Sequence, residues 1–93
     1  MEKVDLKVRV VGLNEPRNVT TYTGLEHVLV DGEVEDDTGR VLITVWDKAI
    51  EQLKGIEVDD VVELQNCFIT SFKGTLHVNV GRDSKVIPAD RRG

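Results

Sequence analysis

The 93 residues are expected to form a single domain. Apolar content is 40%, drawn mainly from Val, Ile and Leu, with only two Phe, one Trp and one Tyr. Net charge is −5, and one Cys with two His at unrelated spacings excludes an internal disulfide and gives no zinc-site pattern. No apolar run nears the roughly 18 residues of a membrane span. The N-terminus alternates charged and apolar residues, unlike a signal peptide. The chain is therefore expected to be soluble and intracellular, with no membrane contact, metal or cofactor.

"VDLKVRV" (4–10) alternates strictly, with Val4, Leu6, Val8 and Val10 on one face and Asp5, Lys7 and Arg9 on the other, as in a half-buried strand. The apolar parity then flips to Val11 and Leu13 around Gly12, which predicts a bulge. "NEPRNVTTYTG" (14–24) reads as a long polar connection. A second strand runs from Leu25 to Glu35 with Val28, Val30 and Val34 on one face, and "DDTG" (36–39) is a tight turn. The third strand is "RVLITVWD" (40–47): Val41, Ile43 and Val45 point inward, and Arg40, Leu42, Thr44 and Trp46 outward. "KAIEQLKG" (48–55) reads as a short helix stopped by Gly55. Strand four spans 61–70, Phe72-Lys73-Gly74 makes a hairpin, and strand five is "TLHVNVG" (75–81), with Leu76, Val78 and Val80 inward and His77 and Asn79 outward. Residues 83–93 form a C-terminal segment in which Val86-Ile87-Pro88 covers the core and the basic end frays.

Five strands with one short helix between the third and fourth match the order of the all-β, five-stranded Greek-key OB-fold barrel. An SH3-like barrel is the rival, but it offers no natural place for a helix after strand three.

The direction of the rings follows from parity. Without a bulge, Asn66, Phe68, Thr70 and Phe72 share the face of Val62, burying two polar groups at about 1–3 kcal/mol each if unpaired. One extra residue near Gln65-Asn66 turns Cys67 and Ile69 inward and Phe68 and Thr70 outward, which is the preferred arrangement. Trp46 stands on the outer face of strand three; capping the barrel end under the helix is the alternative.

Residues 1–65 carry 7 basic and 15 acidic groups, whereas residues 66–93 carry 5 and 2. Local field, rather than total charge, steers a ligand. Arg40, Lys48, Lys73 and Arg82 fall near the ring-bearing face and are candidates for phosphate contacts, with Arg9 added from strand one. His77 and Asn79 are candidates for hydrogen bonds to bases or phosphates. Tyr22 is either a loop contact or a loop anchor.

"DDTGRVLITVWD" (36–47) followed by "VVELQNCFITSFKGTLHVNVGR" (61–82) resembles the simple single-stranded-DNA-binding proteins of archaea. It is similar too to their human counterparts in the sensor-of-single-stranded-DNA complex and to the DNA-binding OB domains of replication protein A. The resemblance covers nearly the whole chain and rests on D-x-T-G, a strand ending in V-W, and aromatic-x-x-x-F-K-G. It implies that Trp46, Phe68 and Phe72 occupy base-stacking positions. Phe68 stands where relatives carry Trp or Tyr. Asn79 matches the archaeal pattern, whereas the human-type proteins put an aromatic there. The long tail of simple archaeal members is missing here, so the chain is expected either to be one domain of a larger protein or to work without a tail.

The leading expectation is a module that binds single-stranded DNA with little sequence preference in replication or repair, alongside replication and repair proteins. RNA stays open as a ligand. A protein–protein scaffold module of such a complex is the alternative, and it suits the acidic run Asp31, Glu33, Glu35, Asp36 and Asp37. No nucleophile–base pair or phosphate-cradling loop points to an enzyme or to a small-molecule substrate.

Overall fold

Charge and valine alternate along the N-terminal segment. In the computed structural model, which describes residues 3–89, that segment is one strand, β1 (Lys3–Leu13). Its neighbours follow as β2 (Arg17–Thr20), β3 (Glu26–Asp36), β4 (Gly39–Trp46), a 3-10 helix (Asp47–Leu53), β5 (Val61–Phe72), β6 (Thr75–Val80) and β7 (Lys85–Pro88). The spatial order is β1-β3-β4-β6-β5, and β1 pairs with β5 to close the barrel. Among the described strands only β4 and β6 run parallel; the other pairs are antiparallel. This is the five-stranded barrel expected from the strand order, with two short strands added and the helix in the expected gap.

Both expected bulges are present. The β1–β3 register shifts between Val10 and Gly12. On β5, Val4 pairs with Cys67 and Leu6 with Leu64, so two residues, Gln65 and Asn66, oppose the single Asp5. Asn66 takes the left-handed conformation (φ 60°), which asparagine tolerates better than most residues. Its backbone N–H donates to Asp5 Oδ1 (2.8 Å), and its side-chain amide donates to the Asp83 carbonyl (3.1 Å).

Valines dominate the barrel interior: Val8, Val10, Val30, Val34, Val45, Val62, Val78 and Val80 are buried with Ile43, Leu64 and Cys67. Ile69 packs against this cluster, as the bulge requires. Burial pushes the Cys67 thiol above its usual pKa.

Four expectations are corrected. The 14–24 connection contains β2, which pairs Arg17–Thr20 with Glu26–Leu29 and so extends β3. Val28 is exposed, and Leu29 is buried in its place, because β4 ends at Trp46 opposite Leu29 and leaves Val28 with no β4 partner. Leu76 is exposed, because β4 meets β6 only from His77 onward and the β5–β6 hairpin projects beyond that point. In the C-terminal segment Val86 is buried, but Ile87 and Pro88 are exposed on β7. The expected helix is a 3-10 turn that buries Ala49 and packs Ile50 and Leu53 on the core. The basic end at 90–93 lies outside the described residues.

Where the first bulge crosses β3, a Cβ on Gly32 would sit 2.5 Å from the Gly12 carbonyl oxygen and 2.7 Å from Leu13 Cδ2. The oxygen is backbone and cannot swing aside. Gly32→Ala is expected to lower stability by about 1–3 kcal/mol, the usual range for overpacking, as a reduced urea midpoint with an unchanged slope.

Candidate nucleic-acid interface

Alternation along β4 sends Arg40, Leu42, Thr44 and Trp46 to the outer side. The ladders set Leu42 beside His77 and Thr44 beside Asn79 on β6. Beyond β6, Asn79 pairs with Phe68 and His77 with Thr70 on β5. The β5 bulge makes this alignment, because the extra residue aims Cys67 inward and Phe68 outward. The result is a three-strand face carrying a half-buried ring at each side, Trp46 and Phe68, with Asn79 between them.

Trp46 is held from two sides. Its Nε1–H donates to Asn79 Oδ1 at 3.5 Å, and Asn79 Nδ2 donates in turn to Thr70 Oγ1 at 3.2 Å. His27 meets the indole edge-on, with centroids 6.2 Å apart and planes at 88°. Asp47 fixes His27 by a 2.8 Å bond to Nδ1 and accepts the Val28 backbone N–H at 3.0 Å. First the Val28 N–H and then His27 hold the Asp47 carboxyl below its ordinary pKa. The stabilisation from these bonds is therefore complete above the ordinary aspartate value and is lost as pH falls through the lowered one. Phe68 carries the ammonium of Lys3 over its ring, 5.5 Å from the centroid.

The basic candidates divide. Lys48 and Arg82 line a pocket of about 430 Å³ with His27, Trp46 and Asp47. Arg40 lies at the other end of β4, 3.9 Å from Glu33 and 4.0 Å from Glu35. Arg9 pairs with Glu35, and Arg17 with Asp31 at 2.8 Å. Asp31, Glu33 and Glu35, alternating along β3, thus form an acidic flank beside the ring-bearing face. Lys73 sits in the left-handed turn of the β5–β6 hairpin with Gly74 (φ 52° and 81°), the two-residue geometry that suits a twisted hairpin. Phe72 ends β5 opposite Thr75; its side chain lies outside the described residues. Tyr22 is fully exposed in the β2–β3 turn.

The structure brings together Trp46, Phe68, His77, Asn79, Lys48 and Arg82. Arg40 is engaged by carboxylates, and Tyr22 stands on a separate turn. Sequence reasoning missed His27, Asp47, Thr44 and Lys3. For His27 and Asp47 the link is the pairing of Leu29 with Trp46, which sets His27 near the end of β4; no local pattern carries it. Among the described residues, no group of three or more His, Cys, Asp or Glu is placed to hold a metal ion, and no helix is long and apolar enough to cross a membrane.

A family model described as single-stranded DNA binding protein Ssb-like, OB fold, matches residues 3–87. The chain is 34% identical over all 93 residues to the single-stranded DNA binding protein Ssb of Saccharolobus solfataricus, covering 60% of that protein. It is 33% identical over 89 residues to replication factor A of Methanothermobacter thermautotrophicus, covering 90% of this chain and 11% of that one. The chain thus spans less than two thirds of the length of either relative. The solution structure of a replication factor A related protein from Methanobacterium thermoautotrophicum superposes with a TM-score of 0.76 at 28% identity, covering 97% of this chain and 84% of that one.

Proposed function

The chain belongs to the Ssb-like, OB-fold family of single-stranded DNA binding proteins, and from that premise we propose that it binds single-stranded DNA with little sequence preference, as a non-catalytic module serving replication and repair. One observation carries the mechanism: two outward rings, Trp46 and Phe68, flank Asn79 on the β4-β6-β5 face. Each ring offers a π-surface to any base, and a base–ring stack is worth about 1–3 kcal/mol. Phe72, one hairpin turn further on, is assigned the same role from its sequence position. Lys48 and Arg82 beside Trp46 take phosphates, and Lys73 extends the basic edge. The strand runs across β4, β6 and β5 rather than along β3, where Asp31, Glu33 and Glu35 engage Arg17, Arg40 and Arg9 and leave those cations less available to phosphate. Arg40 contributes less, since phosphate must compete there with two carboxylates.

Titration of the single tryptophan's fluorescence with an unstructured deoxythymidine oligomer tests this reading, with duplex DNA as control. Quenching by the single strand that salt weakens is the expected result. No change at low salt overturns it and moves the rings to a protein interface.

The salt dependence separates the basic residues. Each phosphate contact on a single strand contributes about 0.7 to the slope of log K against log salt. Replacing Lys48 and Arg82 together by Gln is expected to flatten that slope by about 1.4. Arg40→Gln is expected to change it by less than one contact's share.

A further inference from the structure

On the same face, away from Trp46, lies a smaller pocket of about 290 Å³ lined by Asn14, Arg17, Asp31, Leu42 and His77 among others. Its hydrogen bonds form a chain with a fixed direction. Thr44 Oγ1 donates to Asp31 Oδ1 at 3.2 Å and lies 2.9 Å from His77 Nε2. A carboxylate only accepts, so the single Thr44 proton goes to Asp31. The Thr44 oxygen is then left to accept, and its donor is the Nε2–H of His77. This arrangement favours the neutral His77 tautomer with its proton on Nε2, which makes Nδ1 a bare acceptor. Among the described residues no hydrogen bond engages Nδ1, and the ring is only half-buried.

We propose that His77 reads the edge of a bound base at this pocket, and that Asp31, acting through Thr44, sets it to accept a hydrogen bond. The inference rests on the single-stranded DNA reading above. The chemical class selected is a base with an N–H donor on its pairing edge. Every standard base has one, so recognition here adds affinity without imposing a sequence. The charged groups on the surrounding strands are Asp31 and Glu33 on β3, Arg17 on β2 and Arg40 on β4, while β5 presents uncharged Thr70 opposite His77.

The test compares a deoxythymidine oligomer with one built from N3-methylthymidine, whose bases keep the carbonyl acceptors but have no N–H. At pH 8 the protein should prefer thymidine by about threefold to tenfold, the worth of one net hydrogen bond. His77→Phe keeps a flat ring without nitrogen and should lose the preference. Thr44→Val, which removes the directing hydroxyl, should reduce the ratio at pH 8. Nitrogen-15 NMR of the free protein should place the neutral proton on Nε2. An equal ratio in the parent protein and His77→Phe, or a proton on Nδ1 at pH 8, overturns the proposal while leaving DNA binding in place. Failure to bind either oligomer removes the functional reading itself, and this inference with it.

Discussion

Trp46→Ala is expected to lower affinity for an unstructured deoxythymidine oligomer by about tenfold to a hundredfold, in line with the loss of one base–ring stack of about 1–3 kcal/mol. The loss should be large because the indole is already oriented before DNA arrives. Asn79 holds its N–H, and His27, itself fixed by Asp47, meets its edge. A ring held in place forfeits little conformational freedom on binding. Trp46 ends β4 and is not a member of the buried core cluster, so the substituted protein should still fold. Since the substitution removes the only tryptophan, the measurement is fluorescence anisotropy of a labelled oligomer. Trp46→Phe should recover much of the affinity. Unchanged affinity in the alanine variant would falsify the stacking mechanism.

Leu64→Ala should act on the other side of the same sheet, lowering stability by about 2–5 kcal/mol while sparing the DNA face. Leu64 is 1% exposed, and it meets Leu6 on β1 and Val86 on β7 across the two ladders. Its neighbours in the barrel are mostly valines, whose β-branched side chains have few rotamers with which to fill a void. A small domain holds about 5–15 kcal/mol in total, so a large fraction of the protein should unfold at modest urea concentrations. The urea midpoint measures the loss, and DNA affinity below that midpoint should match the parent. A loss under about 1 kcal/mol would mean that the barrel contracts to fill the void.

Much of this architecture was legible because burial imposes a period of two. The alternation in 4–10 and 40–47 placed β1 and β4 and aimed Trp46 outward. The β5 bulge was legible by a different route: leaving Asn66 and Thr70 inside costs more than adding one residue. What stayed hidden depends on where strands end relative to one another. Val28 and Leu76 have inward parity, yet both lie past the last β4 partner, so no barrel interior exists at their level. β2 carries one apolar residue, Val19, and forms only because β3 offers its edge. The pairing of Arg40 with Glu33 and Glu35, and of His27 with Asp47, likewise comes from register between strands that sequence spacing does not encode.

The double pairing of β1 also sets a timetable. Its C-terminal half joins β3, but its N-terminal half joins β5, where Lys3 meets Phe68. On a growing chain β1 must wait until residue 68 is available before its second edge is fully covered. Closing so distant a contact is slow compared with forming the β3–β4 hairpin. During that interval one side of β1 is an open template for another chain. The charges alternating along it, Asp5, Lys7 and Arg9, are the kind that blunt such an edge. The polar half of this strand's pattern thus protects the barrel before it closes, in addition to solvating it afterwards.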